Sequence, residues 1–221
     1  LTGLDRQRDE ITEVALVLFR DNEVLDTFTS LVHTDRRIPY KIEQLSGISQ
    51  NDVRHAPTLD SLRGQILRFV NNHPVVGHNI ENDLLFLRKQ GLTLNNLSLD
   101  TFELATILLP GAQNYALGTL AQLLGITLSD AHRALADATA TKELFTALVA
   151  KLYTWDLASI EELTRLARVT GWPLLTVFRD VLQDRQARER ALLTGGAPLA
   201  QEAHVGLRRE PEWAPLDPVP E

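Results

Sequence analysis

Two short segments, 74–78 and 97–100, are too short for helices, and each leads straight into a stretch with helical periodicity. This alternation narrows the fold more than any other feature of the chain. Runs of that length cross a sheet but make little more than one helical turn, so both read as buried strands. Upstream, 11–20 and 23–32 read as two further strands joined by a tight Asp21-Asn22 connection, a hairpin. Residues 59–70 place Leu59, Leu62, Ile66, Phe69 and Val70 on one helical face, with Thr58 as N-cap. Further helices read as 80–90, stopped by Gly91, as a segment from Thr101 to Pro110-Gly111, and as 117–124, ended by Gly125. Residues 134–151 form a long Ala-rich helix of high intrinsic propensity. A hairpin followed by strands alternating with helices predicts an α/β sheet with helices packed on it.

A second region begins near Tyr153. Ser159-x-x-Glu162 has the pattern of a capping box, opening a helix that runs to Gly171. Pro173 suits the first turn of another helix, which reaches about Leu193 and is closed by Gly195-Gly196. The last 24 residues hold five of the ten prolines, a composition that reads as a linker or docking strap. The expected division is an α/β unit over 1–150, a helical link or appendage over 151–195 and a Pro-rich tail over 196–221. No internal repeat is visible.

A chain of 221 residues buries a real core without covalent staples, and the absence of Cys rules out disulfides and thiolate metal sites. Met is absent too, even at position 1, so the chain reads as an internal fragment of a longer protein. No apolar run approaches the roughly 18–20 residues of a membrane span and no signal peptide is visible, which makes a cytoplasmic location, away from membranes, the default expectation. The net charge of −7 argues against broad electrostatic binding to nucleic acid. It leaves a nuclease open, because metal ions offset a local carboxylate cluster that itself lowers the charge.

Two constellations carry chemistry. Gly77-His78-Asn79-Ile80-Glu81-Asn82-Asp83 leaves a buried strand and enters a helix, and His132-Arg133-Ala134-Leu135-Ala136-Asp137 opens the Ala-rich helix. Each has a His five residues before an Asp. Five residues turn a helix by about 140°, so the two cannot share a helical face. The His belongs on the incoming loop and the Asp on the first turns, an arrangement in which the Asp holds a metal while the His approaches from the side. Taken singly, Asp83 and Asp137 also suit ordinary acidic positions near helix N-termini, and His78 and His132 suit structural hydrogen-bonded roles.

Gly77-His78-Asn79-x-x-x-Asp83 followed by Phe86-Leu87 is similar to the second exonuclease motif of DnaQ-like enzymes. His132-x-Ala134-x-x-Asp137-Ala138 is similar to the third motif in its DEDDh form. Between them, Asp100-Thr101-x-x-Leu104-Ala105 and Tyr115-x-Leu117-x-x-Leu120-Ala121-x-x-Leu124-Gly125-Ile126 match the family's spacer in order and distance. Upstream, Ile38-Pro39, Leu45-Ser46-Gly47-Ile48 and Ala56-Pro57-Thr58 fit the stretch P…L-T-G-I-T…A-P. Thr2-Gly3 and Asp9-Glu10-Ile11-x-Glu13-Val14 resemble the tail of the first motif, D-x-E-T-T-G followed by D-E-I-I-E-I. The Asp and Glu of that motif would fall three residues and one residue before Leu1. The sequence departs from the family at Asn82, where Phe is common near the terminal nucleotide.

The resemblance implies a ribonuclease H-like mixed sheet flanked by helices and a 3′→5′ exonuclease acting on single-stranded DNA 3′ ends, or on RNA 3′ ends. It implies two divalent cations, Mg²⁺ or Mn²⁺, clamped by four carboxylates, two of them Asp83 and Asp137, with His132 as the base for the attacking water. Ser46, Asn79 and Asn82 would lie near the terminal nucleotide, and Arg36, Arg37, Lys41, Arg88 and Lys89 are candidate phosphate contacts or plain surface charge. Asp100 reads as structural, tying a strand end to a helix start. The layout after Tyr153 resembles DinG-type helicases, in which helicase motor domains follow, and a proofreading subunit docked on a polymerase is the competing parent. A non-catalytic module that binds nucleic-acid ends or anchors a helicase is the alternative of a different class. With two carboxylates alone, the chain as it stands is expected to be inactive. The strand bearing the missing pair would lie in the middle of a five-stranded sheet, between 11–20 and 74–78, so a gap or a partial closure is expected there.

Overall fold

A computed structural model describes residues 1–193 apart from 4, 6 and 129–131. Strands β1 (Glu13–Arg20) and β2 (Glu23–Leu31) form an antiparallel hairpin, with Asp21 in the left-handed region at the turn and a bulge between Leu18 and Phe19. Helices α1 (Tyr40–Ser46), α2 (Gln50–Arg54) and α3 (Leu59–Val70) follow. Strand β3 (Val75–Gly77) leads into α4 (Ile80–Lys89), and β4 (Ser98–Asp100) leads into α5 (Thr101–Leu108). Then come α6 (Leu117–Leu123), α7 (Ala134–Leu152), α8 (Leu157–Thr170) and α9 (Leu175–Leu193).

The strands form two separate sheets, antiparallel β1-β2 and parallel β3-β4. No described segment pairs with both β1 and β3, so the two sheets are not joined by strand pairing. Helix α7 packs against both strands and so spans the two sheets. Phe19 of β1 meets Phe145 of α7 edge to face at 6.3 Å, and the buried Lys142 donates to the Asn22 carbonyl at 2.6 Å, which pins the hairpin turn to the same helix.

One buried cluster joins β4 and α5 to α9, with Leu99, Leu104, Leu144, Leu148, Ile160 and Phe178 at its centre. The C-terminal helices therefore share their core with the helices that follow β4, and the Trp172 indole N–H donates to Glu103 of α5 at 2.7 Å. A second cluster packs the hairpin against α3 and α4 through Ile11, Val32, Leu62, Ile66 and Phe86. A third, Ile38, Ile48 and Val53, holds α1 and α2.

Helix α3 has the expected bounds, and Thr58 caps it by accepting from Ser61 N. Two short helices go beyond what the sequence suggests. Helix α1 ends at Gly47, which adopts φ 68, and α2 carries a true capping box between Ser49 and Asp52. The capping box expected at Ser159 and Glu162 is absent. Asp156 is the N-cap of α8 and accepts both the amide and the hydroxyl of Ser159, while Glu162 pairs with Arg165. An aspartate at the helix start offers a charged acceptor to the first-turn amides, so the helix begins earlier than the Ser/Glu spacing suggests. Gly195-Gly196 and the Pro-rich tail lie outside the described residues.

Candidate active site

The chain turns sharply from β3 into α4. A Cβ on Gly77 would sit 2.5 Å from Cδ1 of Ile80, so the turn closes only around a glycine. Asn79 follows in the left-handed region with φ 57. Asp100, at the end of the neighbouring β4, accepts the backbone N–H of Asn79 at 3.0 Å, of Ile80 at 3.2 Å and of Phe102 at 2.8 Å. One carboxylate thus caps α4 and α5 together, the tie between strand end and helix start that the sequence suggested. It also fixes the first turn of α4, where Asp83 stands.

His78 is fully engaged. Its Nδ1 meets the Thr101 hydroxyl at 2.9 Å and its Nε2 the Tyr115 carbonyl at 2.8 Å, and burial pulls its pKa below the ordinary value. Both ring nitrogens hold loops together, so neither is placed to take a proton from water.

The start of α7 is organised from a distance. Arg133 is its N-cap residue but makes no side-chain cap bond. Instead Glu13, at the beginning of β1, accepts the Ala134 N–H at 2.8 Å and receives Arg133 Nε at 3.2 Å and Nη2 at 2.8 Å. The Glu13 side chain is only 6% exposed. Burial works to raise its carboxyl pKa, and the bonds to Arg133 and Ala134 outweigh burial and hold it below the usual range. His132 precedes this clamp in the left-handed region with φ 72, and its backbone N–H donates to Asp137 Oδ1 at 3.3 Å. The Asp therefore braces the histidine's backbone and leaves the exposed ring out of that bond.

Asp83 lies within electrostatic reach of Asp137. The Asp83 side chain reaches solvent, yet most of the volume around its carboxyl is protein, and that burial, with Asp100 and Asp137 nearby, pushes its pKa up to about 6. Burial likewise raises Asp137, with Glu13 adding to the effect and His132 opposing it. Crowded carboxylates of this kind are what a hard divalent cation relieves, so these donors fit such an ion in chemistry. They do not complete a shell: among the described residues, no group of three His, Cys, Asp or Glu side chains gathers closely enough to hold one.

The other expected site residues fall as follows. The Ser46 hydroxyl is spent on its own turn, donating to the Ile42 carbonyl at 2.9 Å and accepting Ile48 N at 3.3 Å. Asn79 is exposed at the tip of the β3–α4 turn, and Asn82 is half-buried one turn along. Of the candidate phosphate contacts, Arg36 pairs with Asp9 at 3.2 Å and Lys89 donates to the Asp9 carbonyl at 3.0 Å, so both are structural in this arrangement. Asp9 also accepts the buried Thr2 hydroxyl at 2.8 Å and Asp5 N at 2.7 Å, and a Cβ on Gly3 would lie 2.3 Å from its Oδ2. Thr2-Gly3 and Asp9-Glu10 thus fold onto each other. Sequence reasoning missed the roles of Glu13 and Arg133. The available signal was a charge of opposite sign in each of two motifs, one opening a strand and one opening a helix.

The family model described as "Exonuclease" matches residues 1–145. The chain is 39% identical over 147 residues to DNA polymerase III PolC-type of Clostridium perfringens, covering 65% of this chain and 10% of that one. It is 33% identical over 157 residues to DNA polymerase III subunit epsilon of Aquifex aeolicus, covering 69% and 78%. It is 29% identical over 192 residues to the 3′-5′ exonuclease DinG of Staphylococcus aureus, covering 85% and 21%. The chain thus spans about a tenth of the PolC-type polymerase and about a fifth of DinG. Among solved structures, exonuclease X in complex with 5′ overhanging duplex DNA superposes with a TM-score of 0.57 at 24% identity, covering 70% of this chain and 89% of that one. Exonuclease I gives 0.59 at 16%, covering 76% and 42%, and both likenesses support the ribonuclease H-like fold. Exonucleases of this kind use divalent metal ions. A family match across the whole region that folds around Asp83, His132 and Asp137 decides the matter: this chain belongs to the exonuclease family, homologous to the epsilon, PolC and DinG 3′-5′ exonucleases.

Proposed function

We propose that this domain removes nucleotides one at a time from the 3′ end of single-stranded DNA, as part of a larger DNA-processing protein of helicase or polymerase-associated type. The observation that carries the reading is the crowding of Asp83 and Asp137, two helix-start carboxylates whose proton affinity is raised, beside His132. In this reading Asp83 and Asp137 hold the metal. Further carboxylates beyond this pair complete the set. Bound divalent ions, two of Mg²⁺ or Mn²⁺, would supply the positive charge that stabilises the attacking and leaving oxygens of the phosphodiester. His132 takes the proton of the attacking water, its position set by the Glu13 clamp and by the Asp137 bond to its backbone. Asn79 and Asn82, on the rim of the β3–α4 turn, orient the terminal nucleotide, and Ser46 shapes the turn that faces it.

The test is digestion of a single strand carrying a 5′ label by the complete gene product in Mg²⁺. A ladder shortening from the 3′ end, abolished by Asp137→Asn, supports the reading. Uncut DNA together with a digested RNA of the same sequence moves the substrate to RNA. If neither strand is cut, the enzymatic reading fails and a binding role takes its place.

A further inference from the structure

Beside α2 a cavity of about 340 Å³ opens to solvent. It is lined by His33, Thr34, Asp35, Arg37, Gln50 and Arg54. Its floor is stiff. The Gln50 side-chain amide accepts Ile38 N at 2.8 Å and donates to the Thr34 carbonyl at 3.2 Å, so one residue of α2 pins both ends of the 34–38 loop. The His33 ring meets the Val53 carbonyl at 3.1 Å, and the Thr34 hydroxyl accepts Arg36 N at 3.1 Å and donates to Glu10.

Two guanidinium groups stand on this frame, Arg37 from the loop and Arg54 from the end of α2. Both are exposed, and neither has an acidic partner among the described residues. Their neighbour Arg36 is the one taken up by Asp9. The acidic residue of the lining, Asp35, is 99% exposed and meets the His33 ring at 3.3 Å. In a chain of net charge −7, two guanidiniums without an acidic partner among the described residues thus share one concave surface. Guanidinium is the group best shaped to grip a phosphate by paired N–H donors.

The location agrees. The Asp52 carboxyl in the first turn of α2 is held low chiefly by its hydrogen bonds to Ser49, and the charge of Arg133 adds to this. That places α2 within electrostatic reach of the start of α7, where His132 and Asp137 stand.

We propose that the Arg37–Arg54 cavity holds a backbone phosphate of the single strand whose 3′ end lies at Asp83 and Asp137. This rests on the exonuclease reading above and adds to it a contact that fixes the strand without reading its sequence. Such a contact supplies affinity and makes it depend on salt.

The experiment is fluorescence anisotropy with a labelled single-stranded oligonucleotide in Mg²⁺ across a salt series, for the 221-residue chain and its Arg37→Ala/Arg54→Ala variant. Inorganic phosphate serves as the competing source of the same chemistry. The expected result is binding weakened about tenfold at low salt, equally for every sequence, with the slope of log affinity on log salt reduced by about 0.7 for each phosphate no longer neutralised. Arg37→Lys/Arg54→Lys keeps the slope and loses part of the affinity, since a point charge replaces the paired donors. Both side chains are exposed, so an unchanged melting temperature is expected and separates the effect from misfolding. If the wild-type chain binds the oligonucleotide and the double Ala variant binds it equally with the same slope, the cavity proposal falls and the exonuclease reading stands. If only binding of inorganic phosphate changes, the cavity is a free-phosphate site and the proposal also falls. If the wild-type chain binds no strand at any salt, the cavity proposal falls, and the exonuclease reading is decided separately by the digestion with the complete gene product.

Discussion

The carboxylate of Glu13 accepts the backbone N–H of Ala134 at 2.8 Å, joining the first residue of β1 to the first residue of α7 across 121 positions of sequence. The same carboxylate holds Arg133 by two nitrogens, so a strand supplies the cap that the helix's own N-cap residue lacks. His132 and Asp137 flank this joint, and whatever loosens it also loosens them.

Glu13→Ala should therefore cost about 1–3 kcal/mol at neutral pH, the range for leaving a charge-assisted pair and a helix-start amide unmet. The cost should fade in acid. The folded pKa of Glu13 lies below its ordinary 4.5, so its stabilisation is present above that value and is lost as pH falls through the depressed folded value. Urea denaturation of wild type and variant at neutral pH and below about pH 4 measures both parts. A difference that persists undiminished in acid would rule out the ionised clamp.

Asp83 predicts the opposite slope. Its folded pKa of about 6 exceeds the ordinary 3.8, so between those values the folded chain keeps a proton that the unfolded chain has released. Its contribution to stability is full below the lower value and is lost as pH rises through about 6. Without divalent ions, Asp83→Asn should be more stable than wild type near pH 7 and indistinguishable near pH 4. Melting curves at the two pH values decide it, and a variant less stable at neutral pH contradicts it.

The two histidines should part company. In the complete gene product, His132→Ala should lower kcat by at least about 10²-fold with little change in melting temperature, in line with loss of a general base. His78→Ala should instead lose about 1–3 kcal/mol of stability, because the Thr101 hydroxyl and the Tyr115 carbonyl each lose a partner. A silent His132→Ala beside a catalytically dead but stable His78→Ala would falsify the assignment.

The 221-residue chain by itself should not degrade a labelled oligonucleotide in Mg²⁺. Asp83 and Asp137 are two carboxylates, and an octahedral ion that parts reluctantly with water needs more than they provide. Purified chain that shortens the strand, with an Asp137→Asn control prepared identically and inert, shows that the described residues suffice.

The sequence by itself determined the strands and the longer helices and their order, though not the short helices α1 and α2. Thr58 caps α3 and Gly91 stops α4, and Asp83 and Asp137 fall on first helical turns with their histidines on the incoming loops. These features depend on residues within a turn or two of one another, and helical period, capping chemistry and glycine's tolerance of positive φ are written at that range. Even there a nearer acceptor can win, as Asp156 did over Ser159. The tertiary structure alone decided which histidine is occupied, because the partners of His78 lie 23 and 37 residues away and identical His-to-Asp spacing carries no trace of them. It alone set Glu13 against Arg133, raised the proton affinity of Asp83 and, among the described residues, left Arg37 without an acidic partner while Arg36 met Asp9. Charge pairing and desolvation depend on what packing brings within a few ångströms, and for these residues packing reached from one end of the domain to the other.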